Sequence, residues 1–223
     1  MIHRDNHPMA YRMRGLVLAA CFVSMFMSVG CIGGAAQLMY VLFGHKVDAE
    51  FPGFKDKRVA ILTMADASSF GPDTLSETIS RAVAIKLGNN IKKIDIVPQG
   101  EIADWMDVNG WGRPDHKELG KGVNADFVLV IELEDYGIHE GKTIYKGHSN
   151  IKIDVYDMND DGRVVYSLGP DEFIFPRDGR PAIESSERKF EAFYLSRLAD
   201  SVARHFHSFD STEMAAMDSE LMK

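Results

Sequence analysis

The run Asp157–Gly162 places side-chain oxygens at the spacing with which a calcium-binding loop begins. It reads Asp-Met-Asn-Asp-Asp-Gly, and carboxylate and amide oxygens are the ligands that Ca²⁺ takes in proteins. Such a loop ends on an acid that binds the cation through both oxygens, whereas this chain has Leu168 at that position. Asn, Asp and Gly also tolerate the positive φ angles of a tight turn. We therefore interpret the run as a turn between two strands, and predict no metal site and no cofactor.

The other groups that could do chemistry each lack the partner that their chemistry needs. The histidines follow no metal-ligand spacing, the paired serines have no nucleophile elbow or base around them, and the Gly-Lys pair lacks the earlier glycine of a phosphate-binding loop. Two acids flank the end of a buried run, where acids are usually solvated. These groups are His139, His148, His205 and His207; Ser68-Ser69; Gly120-Lys121; and Glu132 with Glu134. The sequence therefore predicts no catalytic residue, and we expect the protein not to be an enzyme.

Trp105 and Trp111 are the most distinctive side chains of the chain, with Asn109-Gly110 between them. Tryptophan dominates the residues that carry binding energy at protein interfaces, so the pair is a candidate contact for a partner protein. A structural role explains them more simply, with Trp105 in the core and Trp111 over a sheet edge. Both interpretations stay open at this point.

An apolar segment near the start of the chain predicts a membrane anchor. Residues 15–44 contain no charged side chain, and about 20 apolar residues are enough to span the hydrocarbon core of a bilayer. Arg4, Arg12 and Arg14 precede the segment, against the single acid Asp5. Because basic flanks stay in the cytoplasm, we expect everything after the segment on the exported, periplasmic side of the membrane.

Cys31 offers a second kind of anchor at the same place. The apolar centre Leu16–Met27 is followed by the small residues of Ser28–Gly30, which suit a processing site. The Val-Gly-Cys ending resembles the bacterial lipobox, which implies cleavage before Cys31 and a diacylglycerol on its sulfur. Acyl chains hold a protein at a membrane because each buried methylene adds ~0.8 kcal/mol. Cys31 is the predicted lipidation site, and an uncleaved transmembrane helix over residues 15–44 is the alternative.

The exported part is acidic and free of cysteine. Both cysteines, Cys21 and Cys31, lie in the apolar segment, so the part that follows has no disulfide and no cysteine metal site. Residues 1–31 hold three of the 25 basic and one of the 33 acidic residues, which leaves a formal charge of −10 on the rest. Such a surface repels nucleic acid and anionic lipid headgroups. We therefore predict no nucleic-acid partner.

Hydrophobic patterns predict the element order β, α, β, α, α, β, β, β, α. Continuous apolar runs at Val59–Leu62 and Phe127–Ile131 predict buried strands, and Ile151–Tyr156 alternates as an antiparallel strand with one solvated face does. Thr74–Glu77 is a capping box that begins the first helix. The other predicted elements are strands at Ile94–Val97 and Val164–Tyr166, and helices at 102–106, 114–120 and 190–209. The fold class is α+β, with one mixed sheet of about five strands and helices packed on it.

The run Gly122–Val130, in which a helix leads to the central strand through Ala125-Asp126, resembles a class of envelope lipoproteins. That class includes the curli-secretion lipoprotein, the lipoprotein activators of peptidoglycan synthases and the N-terminal domain of the Tol-system periplasmic protein. The segments 44–47, 51–54 and 173–176 are similar to those of uncharacterised bacterial lipoproteins anchored at the corresponding cysteine. The resemblance implies an anchored α+β domain, Cys31 as the lipidation site and no catalytic residue.

These observations together predict four segments and one main function. The segments are 1–30 as signal peptide or transmembrane helix, 31–57 as lipid-anchored apolar segment and linker, 58–210 as globular envelope domain, and 211–223 as flexible acidic tail. We expect a non-enzymatic, membrane-anchored envelope lipoprotein that binds another envelope protein or has a structural role. The alternatives are a subunit of an oligomeric secretion or assembly complex, possible as a homo-oligomer, and a single-pass transmembrane protein.

Overall fold

The hydrophobic runs of the sequence form a five-stranded mixed sheet. The computed structural model describes residues 46–65, 74–111, 114–142, 144–181 and 187–210. The strands are β1 (Lys46–Val47), β2 (Arg58–Ala65), β3 (Asp95–Ile96), β4 (Phe127–Glu140), β5 (Ile144–Asp157), β6 (Arg163–Pro181) and β7 (Phe209–Asp210). The helices are α1 (Thr74–Asn90), α2 (Gln99–Asn109), α3 (His116–Gly122) and α4 (Glu187–Arg204), with a 3-10 turn at Met158–Asp160. The α+β class and the mixed sheet are confirmed, and so is the predicted order of the five-stranded sheet and its helices. The two-residue strands β1 and β7 were not predicted.

The sheet has the order β3-β2-β4-β5-β6. β2 is parallel to both β3 and β4, and β5 is antiparallel to β4 and β6. The predicted central strand β4 lies in the middle, where Phe127–Ile131 is buried on both faces. A continuous apolar run is what this position requires, since helices cover both sides of it.

Side-chain alternation along the strands divides the interior into two cores. Odd-numbered residues of β2 and β4, such as Ile61 and Leu129, face the larger core with α1 and α4. Even-numbered residues, such as Leu62 and Val130, face a smaller core with α2 and α3. At about 25 cal/mol per Å² of apolar surface removed from water, this burial is the main source of stability.

Local chemistry sets the starts of α1 and α3 within two residues of prediction. α1 begins at Thr74, where the capping box starts, and its apolar residues Ile79, Val83 and Leu87 face the larger core. Asp115 caps α3, because its carboxylate accepts from the backbone N–H of Lys117 at 2.8 Å and of Glu118 at 3.2 Å. The side chain thus satisfies amides that the first helical turn leaves unpaired.

The Asp157–Gly162 run forms the predicted turn between β5 and β6. Asp161 and Gly162 have φ angles of 55° and 74°, the left-handed values that Asp and Gly tolerate. Asp157 accepts from the backbone N–H of Asn159 at 2.9 Å, as a turn residue does. The carboxylate of Asp157 therefore stabilises the turn itself.

Two features of the sheet differ from prediction. β4 continues to Glu140, so Glu132 lies within the strand and its carboxylate lies 3.5 Å from Lys152 Nζ instead of standing free at a strand end. β5 was expected to have one solvated face, yet Asp154 on that face is only 6% exposed. Asp154 is tolerated there because Ser167 donates to it at 2.6 Å and Lys152 pairs with it at 2.7 Å.

Two helices also differ from prediction in length. α2 continues beyond the predicted 102–106 at both ends, and α4 occupies 187–204 where 190–209 was expected. The chain leaves α4 before Phe206, yet Phe206 is still 2% exposed and belongs to the larger core. Its apolar side chain therefore fitted the helical pattern without being part of the helix.

The compact unit of the chain spans Asp48–Phe209. Residues 48–57, placed in the linker from sequence, pack as part of this unit. Phe54 is fully buried, and its ring stacks on that of Phe206 with centroids 4.8 Å apart. The ring of Phe51 contacts that of Phe127 edge-on at 5.8 Å. Aromatic burial of this size binds the segment to the domain.

The predicted anchor lies outside the described residues. This holds for the apolar segment 15–44 with Cys21 and Cys31, and also for Ser68-Ser69 and the tail 211–223. Among the helices that the structure does describe, none combines the length and the apolar character needed to cross a bilayer.

Candidate protein-binding surface

The indole of Trp105 packs against Gly122, the last residue of α3. On α2, Ile102 and Met106 enter the smaller core with 4% and 5% exposure, and Trp105 packs beside them, partly buried. A Cβ added to Gly122 would stand 2.1 Å from the indole Nε1 and 2.4 Å from Cδ1. Only glycine leaves room for the ring at this distance, so Gly122 determines where Trp105 rests.

Trp111 follows the C-terminal end of α2. The chain turns at Gly110, whose φ angle of 101° suits glycine, and the Gly110 amide bonds to the carbonyl of Met106 at 2.7 Å. Trp111 then folds back, because its indole N–H donates to Asp107 Oδ1 at 2.6 Å. Its ring packs partly buried at the border of the same core as Trp105. The structure therefore brings the two predicted tryptophans to one small core.

Val108 stands between the tryptophans in sequence and is 84% exposed, the largest value among the exposed large hydrophobic residues described. Residues three or four apart are neighbours on a helix, so Val108 lies beside Asp104 and Trp105. We call Asp104, Trp105, Asp107, Val108 and Trp111 the tryptophan face. It combines two half-buried indoles and one exposed apolar side chain with two exposed carboxylates.

Arg58 holds α2 against the sheet. Its guanidinium bonds to both carboxylate oxygens of Glu101 on α2, at 2.9 and 3.0 Å, and to Asp95 at 2.9 Å. Its Nε donates to the carbonyl of Val123 at 3.2 Å. The hydrogen bonds that Arg58 donates to Asp95 and Glu101 raise the pKa of its guanidinium. One side chain thus connects β2 with β3, α2 and the end of α3, and so fixes the base of the tryptophan face.

A second polar cluster joins the start of the domain to its end. The hydroxyl of Tyr166 on β6 donates to Glu50 Oε2 at 2.7 Å, and His205 Nδ1 lies 3.1 Å from Glu50 Oε1. The backbone N–H of Phe51 donates to the carbonyl of His205 at 2.9 Å. The hydrogen bond from Tyr166 holds the pKa of Glu50 below its usual value, against the opposing effect of partial burial. The cluster holds the entering segment in place.

Several charged groups on β4 and β5 and in the turn before β6 pair with one another. Hydrogen bonding to Asp154, followed by the charges of Asp154 and Glu132, raises the pKa of Lys152. The acids of the turn pair with cations nearby, Asp160 with Arg163 and Asp161 with Lys117. Within the described ranges, no three His, Cys, Asp or Glu residues are placed to hold a metal ion.

A shallow groove of about 410 Å³ lies at the start of α2, on the side of α1. Its lining includes Ile85, Ile96 and Pro98, with Arg81 and Gln99 as polar members. The side-chain amide of Gln99 already has a partner within the fold, since it donates to the carbonyl of Ile61 at 3.1 Å. No acid of the described chain lines this groove, so it lacks the paired groups of an acid–base site.

Sequence reasoning found the two tryptophans but missed the residues that complete their surface. The spacing of Asp107 and Trp111, four apart, was a signal for their hydrogen bond. Val108 could have been found as an apolar residue on the polar side of α2. Nothing in the sequence indicated that Gly122 would receive the ring of Trp105, because that contact joins two helices.

No protein-family model matches the chain, and no curated protein matches its sequence. Solved structures do resemble it. A PelC dodecamer from Paraburkholderia phytofirmans has 16% identity and a TM-score of 0.38, covering 72% of this chain and 91% of that one. Lipoprotein GNA1162 from Neisseria meningitidis has 13% identity and a TM-score of 0.44, covering 66% and 97%. A minor lipoprotein from Acinetobacter baumannii has 8% identity and a TM-score of 0.33, covering 66% and 90%.

Bacterial lipoproteins are thus among the solved structures that this chain resembles, which is the class that the sequence indicated. At these identities the likeness is one of fold, and no residue of this chain takes a role from it.

Proposed function

We propose that this chain is a non-enzymatic envelope lipoprotein, anchored in the membrane and exposed on the periplasmic side, whose domain binds another envelope protein through the tryptophan face. The observation that carries the proposal is the 84% exposure of Val108 beside two indoles that are only partly buried. A monomer gains nothing by leaving a valine in water, whereas a partner that covers it removes apolar surface from solvent.

The two indoles suit this role because they are large and already held in place. Trp105 rests on Gly122, and Trp111 is fixed by its bond to Asp107. A side chain that is ordered before binding loses little conformational entropy when a partner arrives. Rigid aromatic anchors with a polar rim are the usual centre of a protein interface.

A non-enzymatic role agrees with the use of the polar groups described. Arg58, Glu50 and Lys152 each have a shifted pKa, and each is explained by a partner within the fold. The described groove contains no acid or base in a position to exchange a proton with a substrate.

The interface test uses the full-length protein in its own membrane. Val108→Glu places a charge at the centre of the proposed contact, and Ile85→Glu is the matched control, since Ile85 is 56% exposed on α1. We expect chemical crosslinking to yield a heterologous adduct that Val108→Glu and Trp111→Ala abolish and Ile85→Glu preserves. Equal adduct yields for all four proteins, each folded by circular dichroism, would refute the interface.

The anchor test is independent of the interface. If Cys31 carries the lipid, acyl label enters the protein and is lost in Cys31→Ala, and the intact mass corresponds to a chain that begins at residue 31. If residues 15–44 form an uncleaved helix, the mass is that of the whole chain and no label enters. The second outcome would replace the lipoprotein with the single-pass alternative.

A long edge strand supports a second candidate, assembly into an oligomer. β6 is 19 residues long and ends the sheet, so within the described part of the chain one side of its backbone pairs with no strand. Such an edge can accept a strand of another copy. Pro170 and Pro176 interrupt it, which is a common protection against that pairing. Native mass spectrometry in mild detergent distinguishes an oligomer from a monomer, since an oligomer must give a defined multiple of the monomer mass.

A further inference from the structure

We infer that the partner segment that docks on the tryptophan face is cationic, with lysine or arginine side chains placed against Asp104 and Asp107. This inference rests on the proposed function, because it names the chemistry of the partner for the same surface. It depends on the charges of the face, on the geometry of its carboxylates and on the occupants that those charges exclude.

The tryptophan face carries two negative charges that no described residue neutralises. α2 contains three acids, Glu101, Asp104 and Asp107, and residues 99–111 contain no lysine or arginine. Glu101 is paired with Arg58. Asp104 and Asp107 are exposed and form no ion pair with any residue that the structure describes. The unmatched charges thus lie on the turn of α2 that also presents Val108.

The arrangement of these groups suits an ammonium or guanidinium group. Asp107 uses Oδ1 for the indole N–H of Trp111, so the carboxylate is held in a fixed orientation while Oδ2 faces no described donor. A cation beside it also meets aromatic faces, and tryptophan attracts cations more strongly than other aromatic residues do. The chain uses both contacts elsewhere, since Glu101 takes Arg58 through two oxygens and the guanidinium of Arg197 lies 5.4 Å from the ring centre of Phe175.

The same charges exclude other occupants. A second copy binding through its own tryptophan face would place four carboxylates in one contact with no lysine or arginine in the face to pair them, and like charges placed together oppose association. A purely apolar segment would cover the carboxylates without pairing them, which is costly for charged groups. An anionic lipid surface is repelled by the face and by the acidic chain as a whole.

The experiment uses full-length protein in the native membrane with the photocrosslinker benzoylphenylalanine in place of Val108, and in place of Ile85 as control. The crosslinked peptide is identified by mass spectrometry. We expect an adduct from position 108 and none from 85, and an excess of lysine and arginine over acids in the captured peptide. Capture of this chain itself, or of a neutral or acidic peptide, would overturn the inference.

The captured peptide is then synthesised and titrated against the detergent-solubilised protein. Asp104→Asn with Asp107→Asn removes both charges, while the asparagine oxygen at 107 can still accept from Trp111 and keep it in place. We expect the dissociation constant to rise about tenfold and its salt dependence to flatten. Asp171→Asn with Glu172→Gln, two exposed acids of β6, is the control and should leave both unchanged. Equal loss in the two double variants would also overturn the inference.

The failures of the two proposals are distinguishable. If position 108 captures no protein although the labelled chain is folded and anchored, the proposed binding function is wrong. If it captures a protein whose docking segment is not cationic, the function holds and the inference about charge is wrong.

Discussion

The contact between Trp105 and Gly122 makes the tryptophan face sensitive to a single methyl group. In Gly122→Ala the new Cβ would lie 2.1 Å from Nε1 of Trp105, whereas ordinary contacts begin at 3.4 Å. The indole must therefore retreat by more than ~1 Å, and since it is only partly buried it can move toward solvent. Overpacking of this kind costs about 1–3 kcal/mol, and the better helix propensity of alanine returns at most about 1 kcal/mol. We expect a net destabilisation of roughly 0–3 kcal/mol.

Fluorescence separates movement of the ring from a general loss of stability. In a Trp111→Phe background, emission comes from Trp105 alone, and Gly122→Ala should shift it to longer wavelength as the indole becomes hydrated. Gly100→Ala on α2 is the matched control, because nothing lies within 4 Å of its added Cβ. It should leave emission unchanged and urea stability equal or higher. Identical spectra and unfolding free energies for the two alanine variants would refute the proposed position of the ring.

Two further predictions concern pH and the larger core. The hydrogen bond from Tyr166 is the main cause of the lowered pKa of Glu50. The contribution of Glu50 to stability is therefore present above its unfolded pKa near 4.5 and is lost as pH falls through the lower folded pKa. Between pH 7 and 3 the urea midpoint should fall less in Glu50→Gln than in the parent, and parallel curves would contradict this. Burial raises the pKa of Tyr194 to about 12, so its contribution is present below pH 10 and lost as pH rises toward 12. Tyr194→Phe removes the hydroxyl's hydrogen bonds to Ser149 and Phe173, at 2.7 and 3.1 Å. It should lower the free energy of unfolding by about 1–3 kcal/mol at pH 7 and reduce the loss of stability at alkaline pH. An unchanged urea midpoint would show that these bonds add nothing to stability.

The order of elements could be predicted because its signals are local. Continuous apolar runs identified β2 and β4, and helical spacing identified α1 and α4. The length of β6 could not be predicted, since Gly169-Pro170 and Pro176 are typical of breaks, whereas the strand passes them through irregularities in its pairing with β5.

The candidate site could be predicted only in part, because most of its contacts join residues that are far apart in the sequence. The sequence identified Trp105 and Trp111 as distinctive residues, without showing what surrounds them. The receiving glycine, Gly122, lies on another helix. Glu50 and Tyr166 are 116 residues apart, so no spacing in the sequence indicates that they meet. Short sequence patterns predict helices and strands, whereas contacts between distant elements depend on how those elements pack.

The docking of residues 48–57 on the domain has a mechanical consequence. If the lipid is attached to Cys31, only about 18 residues separate it from Glu50, and a fully extended chain of that length spans at most ~60 Å. A pull from the side of Cys31 passes through residues 50–54 before it arrives at β2, so the hydrogen bond of Glu50 and the ring contacts of Phe51 and Phe54 bear it before that strand does.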